Sequence, residues 1–235
     1  MIKYTVIVMF ALIAVVGYVS AEVVAPLSLT EGASERRDLS GLADQTVEAQ
    51  GGNVTALNID ALTITTSWQG YYGNISGEIT LDDGSNNTFY NWTTTSVQGE
   101  VYGVRNAAVD FASTACASGA ERTTEETYLG QSATDGDSVT NTFNTTDHPQ
   151  FNVSTTAIAV DTCFSTNAFS GGSLDTGRFH QVLLASGGDI IYTTIIDENQ
   201  AGFNSATADF QLLVGENEKS GNEGSTTYYF FVELN

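Results

Sequence analysis

Outside its carboxylates this chain holds few residues able to do covalent or metal chemistry: two histidines, His148 and His180, and two cysteines, Cys116 and Cys163, beside twenty-eight Asp and Glu. Two histidines cannot build a histidine-rich metal site, and no His-Glu-X-X-His spacing occurs. No Gly-X-Ser-X-Gly elbow is present, so a serine nucleophile would have to recruit one of the two histidines without a local signature. His180, in Arg178-Phe179-His180-Gln181-Val182, reads as an outward polar residue on a strand. A glycoside hydrolase needs only two carboxylates at the right separation, which so many acids leave open; a solvated acidic surface explains the same residues without chemistry. The expectation is a protein that is not an enzyme.

The cysteines have no second cysteine or histidine at ligand spacing, so their simplest use in an oxidising compartment is a Cys116–Cys163 disulfide. Calcium is the one cofactor the acids suggest, at Asp82-Asp83-Gly84-Ser85-Asn86-Asn87 or Thr134-Asp135-Gly136-Asp137-Ser138. Both lack the full spacing of oxygen ligands and the closing Glu, so no cofactor is expected. Binding chemistry is better represented. Trp68-Gln69-Gly70-Tyr71-Tyr72 and Phe89-Tyr90-Asn91-Trp92 make Trp68, Tyr71, Tyr72, Tyr90 and Trp92 candidates for stacking against sugar rings, with core packing as the plainer account. Asn-X-Ser/Thr acceptors for N-glycosylation occur at Asn53, Asn74, Asn86, Asn91, Asn144 and Asn152.

The elements that must position these residues read as β-strands. In Asn74-Ile75-Ser76-Gly77-Glu78-Ile79-Thr80-Leu81, Ile75, Ile79 and Leu81 share one parity and Asn74 the other. A partner strand at Phe89-Tyr90-Asn91-Trp92-Thr93 turns Tyr90 and Trp92 inward and Asn91 outward, with the acidic turn between them. Further runs at 57–66, 99–104, 109–111, 157–164, 179–185, 190–196, 209–214 and 228–234 are separated by turn-forming Gly, Ser, Asn and Asp, including 170–173, 186–189 and 215–222. In the last run both parities are apolar, which predicts a strand that is central in its sheet or covered on its second face. One short helix is expected within 34–48, capped by Ser34 or Asp38 and weakened by Gly41. The fold class is all-β, a β-sandwich of immunoglobulin-like or jelly-roll-like type.

Domain organisation follows from the ends. Met1 to Lys3 is a short positive start, an apolar run follows to Tyr18, and Val19-Ser20-Ala21 precedes Glu22, so residues 1–21 read as a secretory signal peptide. The apolar run is shorter than the roughly twenty residues a spanning helix needs, and no transmembrane anchor is expected after cleavage. Residues 22–49 form an N-terminal arm or edge segment and 50–235 one β-sandwich domain. In the arm, Val23, Ala25, Leu27 and Leu29 alternate, a pattern that suits completion of a neighbour's sheet or an ordinary edge strand on its own subunit. The whole chain has seven Lys+Arg and a formal net charge of −21; loss of Lys3 leaves six basic against twenty-eight acidic residues, or −22. Such a chain repels nucleic acid and anionic membranes, which excludes both as partners.

One likeness adds to this reading. The stretch from Asn53-Val54-Thr55 to Val104, with Trp68-Gln69-Gly70-Tyr71-Tyr72-Gly73-Asn74-Ile75-Ser76-Gly77, resembles a family of secreted archaeal surface proteins. Tyr192-Thr193-Thr194-Ile195-Ile196, Asp209-Phe210-Gln211-Leu212-Leu213-Val214 and Thr226-Thr227-Tyr228-Tyr229-Phe230-Phe231-Val232-Glu233-Leu234 are similar to that family's C-terminal pattern. The resemblance implies an archaeal extracellular setting and carries over no functional residue. Taken together, the sequence predicts a secreted, N-glycosylated structural or adhesive protein of the cell surface, partnered by itself, by other surface proteins or by glycans. A carbohydrate-binding module is the alternative, and a glycoside hydrolase the second.

Overall fold

The computed structural model describes residues 22–43, 45–93, 96–217 and 225–235. The expected signal peptide and most of the expected turn at 215–222 lie outside the described residues. In chain order the strands are β1 (Trp68–Gly73), β2 (Glu78–Asp82), β3 (Thr88–Thr93), β4 (Gly99–Val104) and β5 (Ala115–Cys116). Two helices follow, α1 (Gly119–Tyr128) and α2 (Val139–Thr142), and then β6 (Phe151–Val153), β7 (Thr156–Ile158), β8 (Ser165–Asn167), β9 (Phe169–Ser170) and β10 (Ser173–Leu174). The C-terminal part adds β11 (His180–Ser186), β12 (Asp189–Ile195), β13 (Gln200–Ala201), β14 (Thr207–Ala208), β15 (Phe210–Gly215) and β16 (Tyr229–Leu234).

The organising element is one antiparallel sheet in the order β16-β4-β12-β11-β5, with β8 also paired to β11. Its centre is a tight hairpin: Ser186 pairs with Asp189 across Gly187 and Gly188, whose φ angles of 61° and 95° are the left-handed values a two-residue turn requires. Successive residues of β11 go to opposite cores. Leu183 and Ala185 join Val101, Ile190 and Tyr192 under Leu212 and Val214 of β15, Leu129 after α1, and Val139 and Phe143 of the α2 region. Val182 and Leu184 join Tyr102, Val104 and Ile191 beneath Phe151, Val153 and Ile158 of the β6–β7 hairpin. Burial on both faces explains why strands here are apolar at both parities rather than alternating. β16 is not central: it ends the sheet and is mostly half-buried, with Phe230 and Val232 toward the first core and Phe231 toward the second.

Polar side chains join these layers. Gln181, buried in β11, donates to the carbonyls of Phe179 and Gln211 and to Thr194 Oγ1, and accepts from the Leu213 amide at 3.0 Å. It thereby occupies the outer edge of β15 as a strand would. α1 opens with a capping box between Ser118 and Glu121. Its buried Glu125 meets the Arg105 guanidinium through both oxygens and accepts the Tyr192 hydroxyl at 2.8 Å. Cys116 and Cys163 form the expected disulfide, Cα atoms 4.9 Å apart, pinning β5 beneath the second core.

The all-β class and its antiparallel pairing hold. The second layer, however, is the two-stranded β1–β15 sheet with two helices rather than another broad sheet. Residues 57–66 are not a strand: they form no regular element, and apolar residues at both parities give them no single face to set against a sheet. The expected helix within 34–48 is absent among the described residues, where Asp38 instead accepts both the amide and the hydroxyl of Ser40. Residues 109–111 lead into a 3-10 turn because Asp110 caps the Ala112 amide. The strand at 157–164 ends at Ile158, ahead of a turn that holds Asp161 at φ 56°. The helix α1 was not anticipated, since its face toward the sheet carries glutamates.

Replacing Cys116 and Cys163 together by Ala is expected to lower the unfolding free energy by about 4 kcal/mol, the loop-closure entropy of a segment this long. Urea unfolding with and without reductant measures it, and a loss under about 1 kcal/mol would show that other contacts already hold the loop.

Candidate interaction surface

The β2–β3 hairpin forms where the sequence predicts it. Its turn is held by Asp83, whose carboxylate accepts the Ser85 and Asn87 amides and the Asn87 side chain at 2.8–2.9 Å. These donors hold the Asp83 carboxyl below its ordinary value, the Asn87 side chain contributing most. Asn86 takes the left-handed conformation the turn needs, at φ 63°. Register sets Ile79 opposite Trp92 and Leu81 opposite Tyr90. The four side chains therefore share one face, and Tyr90 and Trp92 pack with ring centroids 4.7 Å apart. The other face carries Thr80 and Asn91, whose amide nitrogen donates to Glu78 at 2.6 Å.

The hairpin's parity is as the sequence predicts; its burial is not. The face expected to turn inward is exposed, with Ile79, Leu81, Tyr90 and Trp92 each 47–59% accessible. Among the described residues β2 and β3 pair only with each other, and no second layer packs on this face.

The five candidate aromatics fall in four separate places. Trp68 packs on Phe143 and Tyr192, and its indole N–H donates to the Asp137 carbonyl at 2.6 Å, so it is a core residue. Tyr71 packs edge-on to Phe230, and burial raises its hydroxyl pKa. Tyr72 meets Phe203 at 5.1 Å on the surface, and Tyr90 with Trp92 forms the exposed hairpin pair. No single aromatic sugar platform assembles from them. A cleft of about 590 Å³ is lined instead by residues 63–67, 129–131, 135–137 and 216–217, with Ile64 and Leu129 among its hydroxyls, amides and acids.

All six sequon asparagines, Asn53, Asn74, Asn86, Asn91, Asn144 and Asn152, are exposed. In the arm, Val24 exchanges two backbone hydrogen bonds of 2.9 Å with Val232 of its own β16, Val23 packs on the second core, and Ala25, Leu27 and Leu29 are exposed. His148 is buried: its Nε2 accepts the Thr162 and Cys163 amides, and Nδ1 donates to the Pro149 carbonyl. His180, buried rather than outward, places Nδ1 3.1 Å from the Asp147 carbonyl. In the second acidic loop Asp137 accepts the Thr65 hydroxyl at 2.5 Å. No group of three or more His, Cys, Asp or Glu side chains suited to a metal ion occurs among the described residues, and no helix among them is long and apolar enough to cross a membrane.

A feature the sequence did not reveal lies at the C-terminal strand, where Glu100 of β4 and Glu233 of β16 face each other in the sheet, both buried. Two glutamates 133 positions apart carry no local signal; only the β4–β16 register brings them together. Comparison with known proteins adds no family to this picture: no protein-family model, curated protein or solved structure matches the chain.

The two tryptophans should separate core from surface. Trp68→Ala is expected to cost about 2 kcal/mol in urea unfolding, below the value for a fully buried aromatic because Trp68 is half-buried against the core, and Trp92→Ala to stay within about 0.5 kcal/mol. Equal costs for the two would contradict the exposed hairpin.

Proposed function

We propose that this is an extracellular structural or adhesive protein that associates with further copies of itself at a cell surface. The observation that carries the reading is uncovered apolar surface: the face of the β2–β3 hairpin, and the irregular segment before β1, where Val54, Leu57, Ile59 and Leu62 are exposed. Soluble β proteins blunt such edges or cover them, because unpaired strands and contiguous apolar patches template association. An isolated two-stranded hairpin is also marginal by itself, so a second copy that pairs with or covers it stabilises both. The disulfide agrees with an oxidising extracellular compartment. The exposed sequons support glycosylation, and Asn91 lies on the face opposite Tyr90 and Trp92, so a glycan there leaves the apolar face free. The archaeal setting is part of this proposal and rests on the resemblance alone.

Carbohydrate binding is the second reading, favoured by the Tyr90–Trp92 pair, whose two exposed rings offer a stacking surface for sugars. At a net charge of −22, association is opposed at low ionic strength and strengthened by salt. Sedimentation velocity of the mature protein from 0.05 to 1 M salt is expected to show salt-promoted oligomers that Tyr90→Ser/Trp92→Ser removes without loss of fold. A monomer at every salt concentration would sink the self-association reading, and glycan-array binding lost in the same variant would favour the second.

A further inference from the structure

The β4–β16 register sets Glu100 directly opposite Glu233 on the face that carries Tyr102 and Phe231. Their exposures are 3% and 0%. Two ionised carboxylates opposite one another in a sheet repel, and burial removes the water that would screen them. Hydrogen-bond donors are divided unequally between them. Both Glu233 oxygens accept the Ser154 amide at 2.9–3.0 Å, and one also accepts the Tyr102 hydroxyl at 3.0 Å. Those donors stabilise an ionised Glu233. Among the described residues, Glu100 Oε2 has no hydrogen-bond partner. The arrangement therefore fits one carboxylate, on Glu233, and one neutral acid, on Glu100.

The surroundings supply no countercharge. Facing the pair are Tyr102 from β4, the Ser154 amide from the β6–β7 turn, Thr193 and Ile195 from β12, and the second core, to which the arm contributes Val23. No Lys, Arg or His is among the groups acting on either carboxyl. Among the described residues the outer edge of β16 is bridged by the Val24–Val232 pair, while Phe230 packs on Tyr71 and Phe231 on Phe111.

We propose that Glu100 and Glu233 hold one proton between them and form a pH-operated latch on the C-terminal strand. With the proton in place β16 stays bonded to β4; without it two facing carboxylates drive β16 off the sheet and leave the β4 edge open to another strand. Burial first, and the charge of Glu233 second, push the Glu100 carboxyl up to about 8, and burial raises Glu233 as well. An unfolded Glu100 loses its proton near 4.5. Between those two values the folded chain retains a proton the unfolded chain has lost, so closure weakens as pH rises through the window and levels off above it. The latch does not depend on self-association.

Hydrogen exchange of the full mature chain from pH 5 to 9, corrected for the intrinsic exchange rate, tests it. Opening at the amides of 230–234 is expected to increase by up to about tenfold per pH unit inside the window, the limit for one proton, while the β11–β12 amides stay protected. Glu100→Gln, neutral and of the same shape, is expected to hold the strand closed at pH 9 and abolish the dependence. If that variant does not fold, the Glu100 carboxyl carbon followed by NMR in the unaltered chain reports the same proton, with a midpoint far above the ordinary value expected. Protection at 230–234 that ignores pH, a pH dependence unchanged in Glu100→Gln, or an ordinary Glu100 midpoint would each overturn the latch.

Discussion

The structure depends on burying β4, β12 and β11 on both faces. A sheet covered on one side alone can hide its apolar residues by alternation; this one needs two covers, and the chain is spent in supplying them. β1, β15 and the helices close one side, while the β6–β7 hairpin and the disulfide close the other. Because the covers are small, polar side chains finish the work of strands. Gln181 occupies the edge of β15, Glu125 ties α1 to Arg105 and Tyr192, and His148 takes the amides beside Cys163. Each is buried with partners, as the cost of an unpaired polar group demands.

What the sequence could reveal followed the range of the interaction. Strands within 179–185, 190–196, 209–214 and 228–234 were legible because their β-branched and aromatic runs are local, and Gly187-Gly188 marks its hairpin. The pairing of β2 with β3, and the separation of Asn91 from Tyr90 and Trp92, followed from parity. Burial did not, because parity says which side chains share a face and nothing about whether a second layer arrives. The α1 helix escaped because Glu125 and Glu126, its buried residues, look like surface acids; the Ser118-to-Glu121 capping box was the one usable signal. Residues 57–66 show the converse, a strand-like run without a partner in its own chain among the described residues.

Charge sharpens the division between a closed sheet and uncovered β surface. Of the few basic residues, Arg105 is held by Glu125 and stacks over Tyr128 at 3.7 Å, and Arg122 lies over Phe164 while donating to the Phe143 carbonyl. Both cations are half-buried, and although Glu100, Glu125, Glu126, Asp209 and Glu233 are buried, most of the twenty-eight acids are left to give the surface its negative charge. Such a surface opposes association by mutual repulsion, so the proposed contact between copies requires salt, bridging cations or protonation.

The central claim is that the hairpin β2–β3 and the segment at 54–66 are uncovered in the single chain and covered when copies meet. Hydrogen exchange of the mature protein across a concentration series tests this most directly. The account predicts fast exchange at 54–66 and 78–93 in dilute solution and growing protection there at high concentration and salt, with the β11–β12 amides protected throughout. Protection at those two segments that is already complete in dilute monomer, or that never changes with concentration, would contradict it.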